Sequence, residues 1–288
     1  MDPFFLILLF IASFGIGIIG ALSGVGGGVL FTPLMMGFTD LNIDIIRSTG
    51  LALAMMGSAF VVRQFIGAGA TRVNFILFVS LALTVGSILG AFVGLSLVKE
   101  YGKVGEAYVR LSLGVLIIIV ATIMLTYREG GGRIRGGEAR GLAKALGLYG
   151  VFYDPSIKEE IKYTARNLPL SFVLFSGVGF ISGMFGVGGG WALVPVINIV
   201  MGLPIKIAVA TSKTSFIVGD MPGFWVYVHE GAVENLLLAA VLPGVALGSI
   251  VGARLMLVTK ARVIKMAVVA VMLISAVQLI NRALSVLL

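Results

Sequence analysis

The sequence predicts an all-α polytopic membrane protein of about eight transmembrane segments in two four-segment repeats, with the first and fifth segments broken at glycine-rich motifs. Three observations predict it. Of 288 residues, 59% are hydrophobic and 12% are Asp, Glu, Lys or Arg, against roughly 45–50% and about 25% in soluble domains. That is too little polar surface to cover a globule in water. Long apolar stretches recur along the chain, and 40 glycines with a mean hydropathy of +1.10 suit helices packed closely in lipid. Finally, the two halves share their glycine and proline spacing.

Lipid offers no partner to a free amide, so each apolar stretch is read as a helix. The stretches run approximately over 3–38, 43–66, 73–98, 108–126, 168–203, 205–228, 233–258 and 263–287. Met1-Asp2-Pro3-Phe4-Phe5 lacks a basic n-region, so the first stretch is read as a retained span. Six stretches are near the ~20 residues a crossing needs. The first and fifth are about 35 residues long with three consecutive glycines inside, which predicts broken helices. Between the halves lies a polar, basic linker, 128–167, with eight Lys or Arg and a short helix expected over 138–148. The chain therefore divides into a first repeat (1–127), the linker, and a second repeat (168–288).

An offset of 162 places Gly24-Val25-Gly26-Gly27-Gly28 on Gly186-Val187-Gly188-Gly189-Gly190, Pro33 on Pro195, and Gly15 and Gly17 on Gly177 and Gly179. With slightly different offsets, Ser48-Thr49 falls on Thr211-Ser212, and Gly86, Gly90 and Gly94 recur as Gly244, Gly248 and Gly252. Such faces let backbones approach closely, and internal duplication is a common way to build secondary transporters. Whether the repeats are parallel or inverted depends on whether each glycine break turns the chain back. Orientation stays open.

Composition excludes several classes. There is no cysteine, hence no disulfide framework, thiolate metal site or Cys nucleophile. A single histidine, His229, leaves no cluster for a catalytic metal. The formal charge of +8 comes from the linker and from the ends of apolar runs, as the positive-inside rule and headgroup contacts predict, so lipids rather than nucleic acid are the expected polyanionic partner. The glycine motifs are not nucleotide loops, because position 29 is Val and no Lys follows. No G-x-S-x-G, H-E-x-x-H or close carboxylate pair is present, so no enzyme, metal or cofactor is expected.

Each triple glycine frees backbone N–H groups at membrane depth, where an unsatisfied group costs several kcal/mol. A helix restarting after the break suits an anion. The candidate substrate-binding residues are therefore Ser23, Gly24, Gly26, Gly27 and Gly28 in the first half and Gly186, Gly188, Gly189 and Gly190 in the second. The alternative is that these glycines only permit tight helix crossing. Lys213 lies inside the sixth stretch, where a charge costs about 3 kcal/mol. It is expected to serve an anion path lined by Thr211, Ser212, Thr214 and Ser215. Asp220, two turns on, is the coupling candidate, as counter-charge or proton acceptor; a structural Lys213–Asp220 pair and a snorkelling Lys213 are the alternatives. Arg47 reads as an anion contact or an interfacial anchor, Arg63 and Arg72 as headgroup contacts, and Asn198 as path lining or a helix-to-helix bond. His229 and Glu230 read as loop residues, and Trp191 and Trp225 as substrate stacking or interfacial packing.

The run from Gly20 through Ser23-Gly24-Val25-Gly26-Gly27-Gly28 to Pro33, with its echo from Ser182 through Gly186-Val187-Gly188-Gly189-Gly190 to Pro195, resembles the duplicated signature of the TauE/SafE family of sulfite and organosulfonate exporters. The resemblance spans essentially the whole chain. It implies ATP-independent passage of a small anionic solute, a sulfur oxyanion, across the cytoplasmic (inner) membrane, without a cofactor. Two rivals remain: a proton- or cation-coupled transporter of another solute, and a non-transporting assembly factor. The oligomeric state is not indicated.

Overall fold

The computed structural model describes residues 3–23, 26–126, 141–154, 159–256 and 261–287, and it is mostly helical, at 83%. The first stretch forms α1 (Pro3–Ser23) and α2 (Gly28–Phe38), broken at the glycines as expected. α3 is Ile43–Gly67, capped by the Asn42 side chain, which accepts from the Asp44 amide at 2.8 Å. The third and fourth stretches are the two arms of α4 (Val73–Thr126), which bends at Gly102 (φ 51°, ψ −128°). In the second half come α6 (Leu168–Phe185), α7 (Gly190–Pro195) continuing into a π-helical turn at Val196–Val200, α8 (Ile205–Gly219), α9 (Met221–His229), α10 (Asn235–Met256) and α11 (Ala261–Leu287). The expected single sixth helix is split at Asp220, because Pro222 in the first turn of α9 has no N–H to continue the ladder.

The linker departs from expectation. Among its described residues only α5 (Gly141–Ala145) is helical, 138–140 of the expected helix lying outside them, and a hairpin follows, β1 (Tyr149–Asp154) antiparallel to β2 (Glu159–Thr164), with Phe152 opposite Ile161. Tyr149, Val151 and Tyr153 face out while Phe152 is buried, the period-two pattern of a half-buried strand. The hairpin docks on the start of α4. Tyr163 stacks at 5.8 Å on Phe75, and Arg72, expected at headgroups, donates to the Tyr149 carbonyl at 2.6 Å.

Among the described residues, five helices are long and apolar enough to cross a membrane: α1, α3, α4, α6 and α10. The α4 residues Val73, Leu77, Leu81, Val85 and Leu89 are exposed at a spacing of four. Such a stripe suits lipid or a partner surface rather than water. The inner faces use glycine. A Cβ at Gly86 would strike Ser176 O and Phe180 N of α6, and one at Gly90 would strike Phe180 O. Across the molecule, a Cβ at Gly248 would strike Phe14 O and Ile18 N of α1, and one at Gly252 would strike Ile18 O. Thus α4 packs on α6 and α10 on α1, backbone to backbone.

Candidate functional site

Both breaks are buried, and they touch. Gly26 (φ 93°), Gly186 (φ 67°) and Gly188 (φ 68°) adopt backbone conformations that only glycine takes readily. A Cβ at Gly28 would lie 2.8 Å from Val187 O, and the Thr32 hydroxyl after the first break donates to Gly186 O in the second at 2.7 Å. The Phe216 ring lies between them; Cβ atoms added at Gly26 and Gly189 would stand 3.6 and 3.5 Å from it. Among the described residues, no acceptor meets the N–H groups of Gly27, Gly28, Val187, Gly188, Gly189 or Gly190. Gly24 and the Ser23 side chain lie outside the described residues.

Lys213 is fully buried, and its Nζ has no hydrogen-bond partner among the described residues. Neighbouring helices fix its place. A Cβ at Gly57 would be 3.0 Å from Lys213 Nζ and 2.9 Å from Ser249 Oγ. On α3, Ala54 touches Gly188 and Gly57 follows three residues later, a rise of about 4.5 Å. On α10, Val245 touches Gly27 and Ser249 follows one turn later. On α8, Phe216 touches both breaks and Lys213 precedes it by three residues. All three elements put the ammonium about one turn from the meeting point of the breaks.

The hydroxyls divide. Thr214 donates to Ala210 O at 2.8 Å and Ser215 to Thr211 O at 2.8 Å, so their hydrogens are committed to backbone. Thr211 shares a 2.8 Å bond with Thr71. Ser212 Oγ is buried without a partner. Asp220 does not pair with Lys213: its Oδ1 accepts from the Ser182 hydroxyl at 2.8 Å and its Oδ2 has no partner among the described residues.

Other expectations change. Arg47 is no interfacial anchor; it is fully buried, pairs with Asp44, donates to Met184 O at 3.0 Å and lies 5.6 Å over the Tyr227 ring. Its position follows from Gly94 and Gly186, which leave room for it on α4 and at the end of α6. Removing one partner of a buried ionic network costs about 3 kcal/mol. Arg47→Met is therefore expected to lower the thermal midpoint by several degrees, measured by differential scanning fluorimetry in detergent, without changing solute affinity. Asn198 donates to Leu203 O at 2.7 Å. Trp225 is exposed, as are Arg63, His229 and Glu230; the Trp191 side chain lies outside the described residues. No group of three or more His, Cys, Asp or Glu exists among the described residues to hold a metal.

Sequence reasoning overlooked Ser87, Ser182, Phe216 and Ser249. A signal for two of them was present: the offset of 162 also superposes Gly86-Ser87-Ile88-Leu89-Gly90-Ala91 on Gly248-Ser249-Ile250-Val251-Gly252-Ala253.

Comparison with known proteins agrees with a membrane carrier. The chain is 26% identical over 273 residues to a probable membrane transporter protein, YunE, of Bacillus subtilis, covering 92% of this chain and 93% of that one. It is also 26% identical over 238 residues to a probable membrane transporter protein, MJ0441, of Methanocaldococcus jannaschii, covering 80% and 76%. No solved structure matches. The model of the family described as sulfite exporter TauE/SafE matches residues 9–279, and with both breaks of its signature in place, the chain belongs to the TauE/SafE family of membrane transporters.

Proposed function

We propose that this protein is a secondary transporter that carries a small sulfur-containing oxyanion, sulfite or an organosulfonate, outward across the cytoplasmic (inner) membrane by alternating access between two repeats. The observation that carries the reading is the buried Lys213 ammonium, without a partner among the described residues, one turn from two glycine breaks whose amides meet no acceptor among those residues. An uncompensated charge at that depth is costly. An anionic solute supplies the missing partner, and every free group there except the Ser212 oxygen is purely a donor, which selects an oxyanion over a cation. The break residues, Ser212 and Lys213 would hold it. Thr211, Thr214 and Ser215 shape the wall. The sulfur chemistry is taken from the family description.

The repeat reading is supported by packing as well as spacing. Gly86 meets Ser176 and Phe180, and Gly248 meets Phe14 and Ile18; Gly188 meets Ala54, and Gly26 meets Phe216. Corresponding members of these sets all differ by 162 positions. Phe216 lies between the breaks, so in this arrangement the ring has to move before solute reaches the amides. Export needs no ATP. An anion leaving a cell that is negative inside gains about 2.3 kcal/mol per charge per 100 mV.

Thermal unfolding of the purified protein against sulfite, sulfate, taurine, sulfoacetate and carboxylate analogues tests this. A bound anion at a hundred times its Kd stabilises by about 2.7 kcal/mol. Sulfite or a sulfonate is expected to raise the midpoint and the carboxylates are not; a protein indifferent to all the sulfur anions would refute the reading.

A further inference from the structure

A second buried polar cluster lies at the C-terminal end of α8. Asp220, at the α8–α9 joint, is fully buried and its side chain does not cap α9. It turns to α6 instead, where the Ser182 hydroxyl donates to Oδ1 at 2.8 Å, leaving Oδ2 without a partner. Ser87 on α4 is also fully buried with a partnerless Oγ. It stands at the same seam: its backbone packs on Gly183, next to Ser182, and its hydroxyl packs on Gly223, one turn after Asp220. The preceding turn of α4 repeats this geometry, with Leu83 against Gly179 of α6 and Gly219 of α8. Two orphan oxygen atoms and one serine hydroxyl thus converge between α4, α6 and the α8–α9 joint.

The other repeat indicates what is missing. Ser249 stands 162 positions after Ser87, and the atom beside it, against Gly57, is the Lys213 ammonium. Gly57 in turn corresponds at the same offset to Gly219, the neighbour of Asp220. One seam therefore holds a positive charge tethered to the chain. Its counterpart holds a carboxylate and two hydroxyls with no cation among the described residues. The charged and titratable groups on the surrounding elements are engaged elsewhere or out of reach: Arg47 and Asp44 on α3 pair with each other, the Tyr227 hydroxyl on α9 donates to Gly183 O at 2.8 Å, and Lys213 is seven residues away along α8. α6 carries no charged residue.

We propose that Asp220, Ser182 and Ser87 form a binding site for a small monovalent cation, a sodium ion or a proton, that neutralises the Asp220 carboxylate. A carboxylate and hydroxyls are hard oxygen donors, suited to such an ion and not to a soft metal. In the transport reading, on which only this role rests, the ion is the coupled species, moving inward as the anion moves out, that ties solute movement to an ion gradient. Its binding stands without any solute.

The test uses the full chain in detergent with no anionic substrate. Sodium chloride is titrated against choline chloride at constant ionic strength while the thermal midpoint is followed, and the infrared carbonyl band of a protonated carboxylic acid is recorded in parallel. A saturable sodium-specific rise, lost in Asp220→Asn and at least tenfold weaker in Ser87→Ala, identifies sodium. No sodium response, but a protonated-carboxyl band that vanishes in Asp220→Asn and shifts in Ser87→Ala, identifies the proton. If Asp220→Asn does not fold, Ser87→Ala decides alone. Neither response in the wild type, or responses unchanged in the variants, overturns the proposal. A sodium or proton response in a protein that binds no sulfur anion would overturn the anion reading and leave this site standing.

Discussion

Lys213→Met is expected to abolish anion binding while making the solute-free protein more stable. The two effects have one cause. The ammonium is buried without a partner among the described residues, so in the empty protein it is a burden of about 3 kcal/mol on the membrane-insertion scale, which methionine of similar length removes. With solute present, the same ammonium supplies a full positive charge near the breaks, and truncating one side of a buried charged pair costs about 2–5 kcal/mol. Affinity should therefore fall by roughly thirtyfold or more. Scanning fluorimetry with and without sulfite reads both signs: a higher midpoint without solute and no further shift with it. Unchanged affinity would remove Lys213 from the site.

Gly90→Leu should prevent the protein from accumulating in folded form. A Cβ there would collide with Phe180 O and approach Met184 N to 2.8 Å, and these are backbone atoms that cannot turn aside. Forcing a side chain into such a seam costs upwards of about 3 kcal/mol. Gly252→Leu, against Ile18 O, should behave alike. Gly177 and Gly15 are the controls: they share the repeat spacing, yet a Cβ at either meets nothing within 4 Å. Gly177→Ala is expected to raise stability by up to about 1 kcal/mol through helix propensity. Monodisperse yield in detergent and the thermal midpoint measure all four; a folded, stable Gly90→Leu protein would mean that α4 and α6 are not in backbone contact.

The contrast between Gly90 and Gly177 illustrates what the sequence could convey. Broken first and fifth helices followed from three glycines in an apolar run, since no side chain is needed to see that a helix must fail there. The place of Lys213 inside an apolar stretch was equally plain from hydropathy, but not whether its charge stayed buried or snorkelled to the surface. Partners were not. Thr214 and Ser215 read as donors to a solute, but in a helix each hydroxyl can reach its own carbonyl four residues back, and both do. Arg47 read as an anion contact or an interfacial anchor; only the glycine gaps at Gly94 and Gly186, outside its own helix, make room to bury it. The pairing of Asp220 with Ser182 was hidden because the helix expected to run through Asp220 ends there, and a side chain at a helix joint points where no periodicity predicts. The β1–β2 hairpin was masked by the charge of the linker around it.

Selenite, a heavier analogue of sulfite, locates the bound anion by its anomalous scattering in crystals of the wild-type protein. A selenium peak is expected within hydrogen-bonding reach of Lys213 Nζ and of the amides at Gly188 and Gly189, with the Phe216 ring displaced. A peak only at the membrane surface, or break amides bonded to protein side chains with no anion between them, would contradict it.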